Sequence, residues 1–176
     1  MARAFVQPKY QSAQAGRKAL FALDNLWDGI GGLVASDPSV KYLAGKVTIY
    51  SSSPEISRKA MIYYLDMCFG DRNGLITSKN PETCTPEQEE MFKEMFTGAD
   101  YKENYQILNN FVKSHNDTIP PLIHSYIGLS PTMKTFGTTF DPDFGHCYDT
   151  AMMITIDDIY EDKFDRYVAS YDKQNA

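Results

Sequence analysis

The chain has 176 residues, 43% of them hydrophobic and 23% charged, with a formal net charge of −6. That length supports one ordinary core, so residues 1–176 are expected to form a single domain. The acidic balance argues against nucleic acid as a partner, because phosphate neutralisation needs clustered Lys and Arg. No stretch approaches the roughly 20 apolar residues that cross a bilayer, and the N-terminus lacks the basic-then-apolar order of a secretory signal, so a cytoplasmic location is expected. Cys68, Cys84 and Cys147 are widely separated and odd in number, which fits reduced thiols rather than a disulfide framework or a structural zinc site. Twelve tyrosines, ten phenylalanines and eight methionines would suit a long apolar ligand, although packing an ordinary core is their commoner use.

Taken in order, Arg3-Ala-Phe-Val6 reads as the end of a strand, and the polar turn after it opens a helix from Gly16 to about Val34. Leu20, Leu23, Trp27, Ile30 and Val34 recur at helical spacing, and Phe21, Leu26 and Leu33 widen the stripe, so this helix is expected to be covered over much of its surface. It should stop at Ser36-Asp37-Pro38. Val40 to Tyr50 alternates as a strand does. Ser53-Pro54-Glu55 places a capping residue, a first-turn proline and a carboxylate in helix-starting order, and that helix runs toward Gly70. Thr85-Pro86-Glu87-Gln88 and Asp100-Tyr101-Lys102-Glu103 resemble capping boxes, each opening a short charged helix, which together suggest a mostly solvated helical insertion at about 82–118. Pro120 and Pro121 start a segment through Leu129. Met133–Phe140 and Ala151–Ile156 read as strands joined through Asp141-Pro-Asp-Phe-Gly145, before an acidic helix from about Asp158.

A strand entering a helix through small residues turns several backbone N–H groups toward one point, which makes the turn at 10–16 a candidate anion or carbonyl cradle. His124 is a candidate general acid or base, with Tyr126 two residues on. Either is equally at home as a satisfied interior group. Asp141 and Asp143 would attract an ammonium group, or else satisfy their own turn. His146, Cys147 and Asp149 do not make a convincing metal site, because neighbours on a strand face opposite ways.

Strand, turn ending in Gly16, helix, strand, helix resembles the second half of GNAT-type acyltransferases. The family turn, Gln/Arg-x-x-Gly-x-Gly/Ala, is matched by Gln11 and Gly16, while Gln14 stands where the first glycine is usual. Ala2–Gln11, Leu26–Ile30, Lys41–Thr48, Ile119–Ile123 with Tyr126, and Asp141–Phe144 together resemble the putative-hemolysin group of GNAT-like proteins, over nearly the whole chain. That group includes the N-acyltransferases of ornithine-lipid and glycine-lipid synthesis. The resemblance implies an α/β fold, a GNAT-like mixed sheet flanked by helices, with this chain as the C-terminal part of it. It implies transfer of a long-chain acyl group from acyl carrier protein to the α-amine of glycine or ornithine, with no permanently bound cofactor or metal.

The donor, acyl carrier protein or acyl-CoA, would be cradled by Val6, Tyr10, Gln11, Gln14, Ala15 and Gly16. The bulk of Gln14 favours a carrier-protein pantetheine arm over coenzyme A. Lys9, Arg17 and Lys18 would dock the acidic carrier, His124 and Tyr126 would serve catalysis, and Asp141 and Asp143 the acceptor. A homodimer or a second chain would complete the sheet, and a lipid product leaves room for transient contact at the inner membrane surface. The alternative is a noncatalytic acyl-chain or carrier-protein binder that lacks the acceptor half.

Overall fold

In the computed structural model, residues 22–170 are described. The expected strand at 3–6 and the turn at 10–16 lie outside them. Helix α1 (Ala22–Ser36) leads to strand β1 (Tyr42–Ile49) and helix α2 (Glu55–Phe69). Helices α3 (Pro86–Met95), α4 (Tyr101–Ser114) and α5 (Pro121–Ile127) precede strands β2 (Lys134–Asp141) and β3 (Cys147–Thr155). A 3₁₀ turn (Ile156–Asp158), helix α6 (Glu161–Phe164) and a π turn (Asp165–Ala169) follow.

The three strands form one sheet in the order β1-β3-β2, antiparallel at both pairings. The mixed sheet implied by the resemblance is not what the described residues form. Their parallel pairing is a single bridge between Gly70 and Thr135. The alternation in β1 is correct: Val47 and Ile49 face the core while Tyr42 and Ala44 are exposed. Strand β3 begins four residues before its expected start, because pairing of Asp141 with Cys147 carries the ladder through the polar residues 148–150. Strand β2 carries a register shift between Thr135 and Thr138, where Gly137 has φ +84°. A positive φ there is what an intervening glycine supplies to a bulge.

Helix α2 lies at the centre. Ala60, Met61, Tyr64 and Leu65 are fully enclosed, and the Tyr64 hydroxyl donates to the Tyr101 carbonyl at 2.8 Å. Its start differs from expectation by one residue. Pro54 is the N-cap, no side chain caps the helix, and Ser53 precedes it. The two charged helices are exposed over much of their length, as expected. Thr85 and Gln88 close a complete capping box, and Asp100 accepts from the amides of Lys102 and Glu103 at 2.8 and 2.9 Å. Yet Phe92, Leu108 and Val112 are enclosed in the same core as α2. A short helix with few apolar residues can still set one or two of them deep, and those decide where it sits.

Helix α1 ends at Ser36 as expected, but over residues 25–36 it is covered on one face only. Trp27 and Val34 are buried while Leu33 is 71% exposed. Its covered face meets the C-terminal π turn so closely that a Cβ at Gly31 would stand 1.8 Å from the Tyr167 carbonyl oxygen. The acidic C-terminal helix is broken into the 3₁₀ turn, α6 and the π turn because Ile156 and Val168 are both drawn into a small cluster with Val34.

Gly31 and Gly29 therefore make a paired test. Gly31→Ala forces two backbones apart and should cost 1–3 kcal/mol, on the order of an overpacked core substitution. Gly29→Ala meets nothing within 4 Å and should gain about 0.5–1 kcal/mol from helix propensity. Urea unfolding of both variants measures the difference, and equal effects would contradict the close approach.

Candidate functional site

The diproline at 120–121 sets the entry of α5, where Pro120 is extended and Pro121 takes the first helical position. Seven residues leave little choice of faces, so Ile123, Tyr126 and Ile127 point inward and His124 outward. Tyr126 is 3% exposed and meets Trp27 edge-on, ring centroids 5.3 Å apart at 82°. Burial pushes its phenol above the ordinary range, so it stays protonated and is available only as a neutral hydroxyl. His124 is exposed, with Nδ1 3.2 Å from the Tyr105 hydroxyl and the two rings 5.5 Å apart. Burial also raises the Tyr105 phenol, which fixes it as a neutral partner. With Nδ1 engaged, Nε2 is the nitrogen left for proton transfer. The two predicted catalytic residues thus share a helix but not an environment.

Asp141 closes the β2–β3 turn by accepting from the amides of Asp143 and Phe144 at 3.1 and 3.0 Å. Its other oxygen lies 3.8 Å from Lys46 Nζ. Lys46 in turn bonds Asp149, which also accepts from the Thr48 hydroxyl at 2.6 Å, and lies 4.7 Å from the centre of the Phe144 ring. Asp141 is therefore occupied by its own turn and by Lys46. Asp143 is exposed at the tip. The hydrogen bond to Asp149, partly opposed by desolvation, raises the Lys46 ammonium above its usual 10.5.

One feature had no counterpart in the sequence reading: a cavity of about 240 Å³ between α2, residues 81–84 and the bulged part of β2. Ile62, Tyr63 and Leu65 form its apolar wall, and Thr138 and Thr150, hydrogen-bonded to each other at 2.6 Å, stand on the sheet side. Lys59 beneath it is buried, bonding Glu82 at 2.6 Å and the Thr83 carbonyl. Burial raises the Cys84 thiol, with Lys59 acting the other way, so the thiol is not an activated nucleophile. A glycine inside a strand pattern was the available signal for this irregularity.

Val6, Lys9, Tyr10, Gln11, Gln14, Ala15, Gly16, Arg17 and Lys18 lie outside the described residues. The chain is 42% identical over 175 residues to a protein of Phocaeicola vulgatus named glycine N(alpha)-acyltransferase, covering 99% of this chain and 53% of that protein. It is 42% identical over 171 residues to a Bacteroides thetaiotaomicron protein of the same name, covering 97% of this chain and 50% of that one. The chain is thus similar to two proteins named glycine N(alpha)-acyltransferase. It spans about half the length of these curated relatives. No family model and no solved structure matches it. No helix among the described residues is long and apolar enough to cross a membrane.

The Lys46–Asp149 pair gives a pH test with a definite sign. The folded chain holds the Lys46 proton at a pH where the unfolded chain has released it. The contribution of the pair is therefore full below pH 10.5 and fades as pH rises through the higher folded value. Asp149→Asn should lower stability at pH 8 by up to about 1 kcal/mol, the scale of a partly exposed pair. Urea titrations at pH 8 and pH 11.5 should show that loss shrinking at the higher pH, and an unchanged loss would count against the pair.

Proposed function

We propose that this chain transfers a long-chain acyl group from acyl carrier protein to the α-amine of glycine, within an amino-acid lipid pathway, on a GNAT-like fold of which it is the C-terminal part. The observation that carries this reading is the 42% identity over 175 residues to a protein named for acylating glycine. In this reading the amine gives up a proton, its nitrogen attacks the thioester carbonyl, and the C–N bond forms as the C–S bond breaks. The departing thiolate takes up a proton. Backbone N–H groups from Val6 to Tyr10 would hold the transient oxyanion, and the turn Gln11–Gly16 would cradle the pantetheine arm of the donor.

His124 is the side chain suited to take the amine proton, since it is exposed and Tyr105 fixes its orientation through Nδ1. Tyr126 holds α5 against Trp27 and so keeps His124 in place. Lys9, Arg17 and Lys18 supply the positive rim for an acidic carrier. A second reading, in which this chain binds the acyl chain or the carrier without completing the acceptor side, goes with its spanning about half the length of the relatives.

The test is mass-spectrometric detection of N-palmitoyl glycine after incubating the purified chain with palmitoyl acyl carrier protein and a pool of amino acids. Product that falls at least tenfold with Gly16→Trp is expected. A folded chain that yields product only when the remaining half of a relative is added belongs to the binding-module reading. Absence of product under both conditions overturns the proposal.

A further inference from the structure

Buried charges in folded proteins are paired or ligated, because an unpaired one loses its hydration with nothing in return. Arg58, on the first turn and a half of α2, is 8% exposed. Its Nη1 donates to the Ser53 carbonyl at 3.1 Å, and its guanidinium lies over the Tyr148 ring at 4.1 Å. Its Nε is buried without a hydrogen-bond partner, and among the described residues no carboxylate pairs with it. The neighbouring Ser57 hydroxyl is fully enclosed and also has no partner. Both residues belong to a 15-residue helix whose N-cap, Pro54, offers no side-chain acceptor to the first-turn amides.

Helical side chains lean toward the N-terminus of their helix, and the bond from Arg58 to Ser53 shows this one reaching that end. Buried donors without a partner are rare in folded proteins, so two in succession at an uncapped helix end point to a missing partner. One anion would satisfy the guanidinium, the hydroxyl and the free amides together.

We propose that the N-terminus of α2, with Ser57 and Arg58, binds the carboxylate of the acceptor amino acid. This rests on the acyl-transfer reading for the identity of the ligand. A carboxylate matches the unpartnered Nε side of the guanidinium, where two parallel N–H donors lie in one plane. Glu55, the one acid in the first turn, is exposed and disfavours a doubly charged phosphate more than a single carboxylate. Tyr148 is in register with Ile49 and with Phe140, next to the Asp141–Cys147 pair that opens the β2–β3 turn. The same end of the sheet therefore carries the exposed Asp143.

The experiment is saturation-transfer NMR on the purified chain, with glycine, glycinamide, acetate and inorganic phosphate as probes, together with KM for glycine where transfer is measurable. Glycine should bind, acetate should displace it, and glycinamide should bind at least tenfold more weakly. Arg58→Lys should weaken glycine tenfold or more. Ser57→Ala should weaken it several-fold while leaving the melting temperature unchanged or raised, because the change removes an orphaned hydroxyl. A purely structural role for Ser57 would instead lower the melting temperature and leave glycine binding alone. If Arg58→Lys does not fold, Ser57→Ala carries the test. Equal binding of glycine and glycinamide overturns the site, as does wild-type affinity in Ser57→Ala or displacement by phosphate in preference to acetate. Glycine binding that depends on these residues without any acyl transfer keeps the site and removes the catalytic reading. Transfer to glycinamide as fast as to glycine does the reverse.

Discussion

Helix α2 is packed on nearly every side, and the positions of the other elements follow from that. Its apolar residues meet the sheet through Val47, Ile49, Met152 and Ile154 and the charged helices through Phe92 and Leu108. Fully burying a side chain of this size stabilises the fold by about 1.5–3 kcal/mol, so Met61 and Leu65 alone are worth a large part of an ordinary stability margin of roughly 5–15 kcal/mol. A helix enclosed this way must also bury polar residues. Ser57, Arg58 and Lys59 are all inside, and each is handled differently. Lys59 has a carboxylate and a carbonyl, Arg58 has a carbonyl and a ring, and Ser57 has nothing.

The same packing sets the geometry on the far side of the molecule. Tyr64 on α2 stands 6.1 Å from Tyr105 on α4, and Tyr105 touches His124 on α5. Tyr126, on the inward face of that short helix, is seated on Trp27 of α1. An exposed imidazole is thus oriented by rings whose own positions are fixed by the core. That differs from a surface histidine on a loop, whose direction is free.

Much of this was legible in the residues. The alternation in β1, the stop at Pro38 and the Thr85–Gln88 capping box are local patterns in which side-chain spacing or a single hydrogen bond decides the outcome. What the sequence hid were long-range effects. Phe92 and Leu108 sit among charged neighbours, so their segments read as solvated, and only packing against α2 shows how deep they lie. The extra length of β3 depends on pairing with β2 across the hairpin, which no alternation in residues 147–150 announces. Asp141 and Asp143 look alike in sequence, yet the first is consumed by its turn and the second is exposed. Ser57 and Arg58 carried no motif at all. Their interest comes from burial combined with missing partners, and neither is visible before the chain is folded.

The chain has a single tryptophan, Trp27, and it lies in the contact between α1 and the helix that carries His124. Its indole is shielded from water by Tyr126 and its neighbours. The intrinsic fluorescence of the protein is consequently the signal of one seam, undiluted by other indoles. A shift of its emission to longer wavelength reports separation of α1 from α5 without any label.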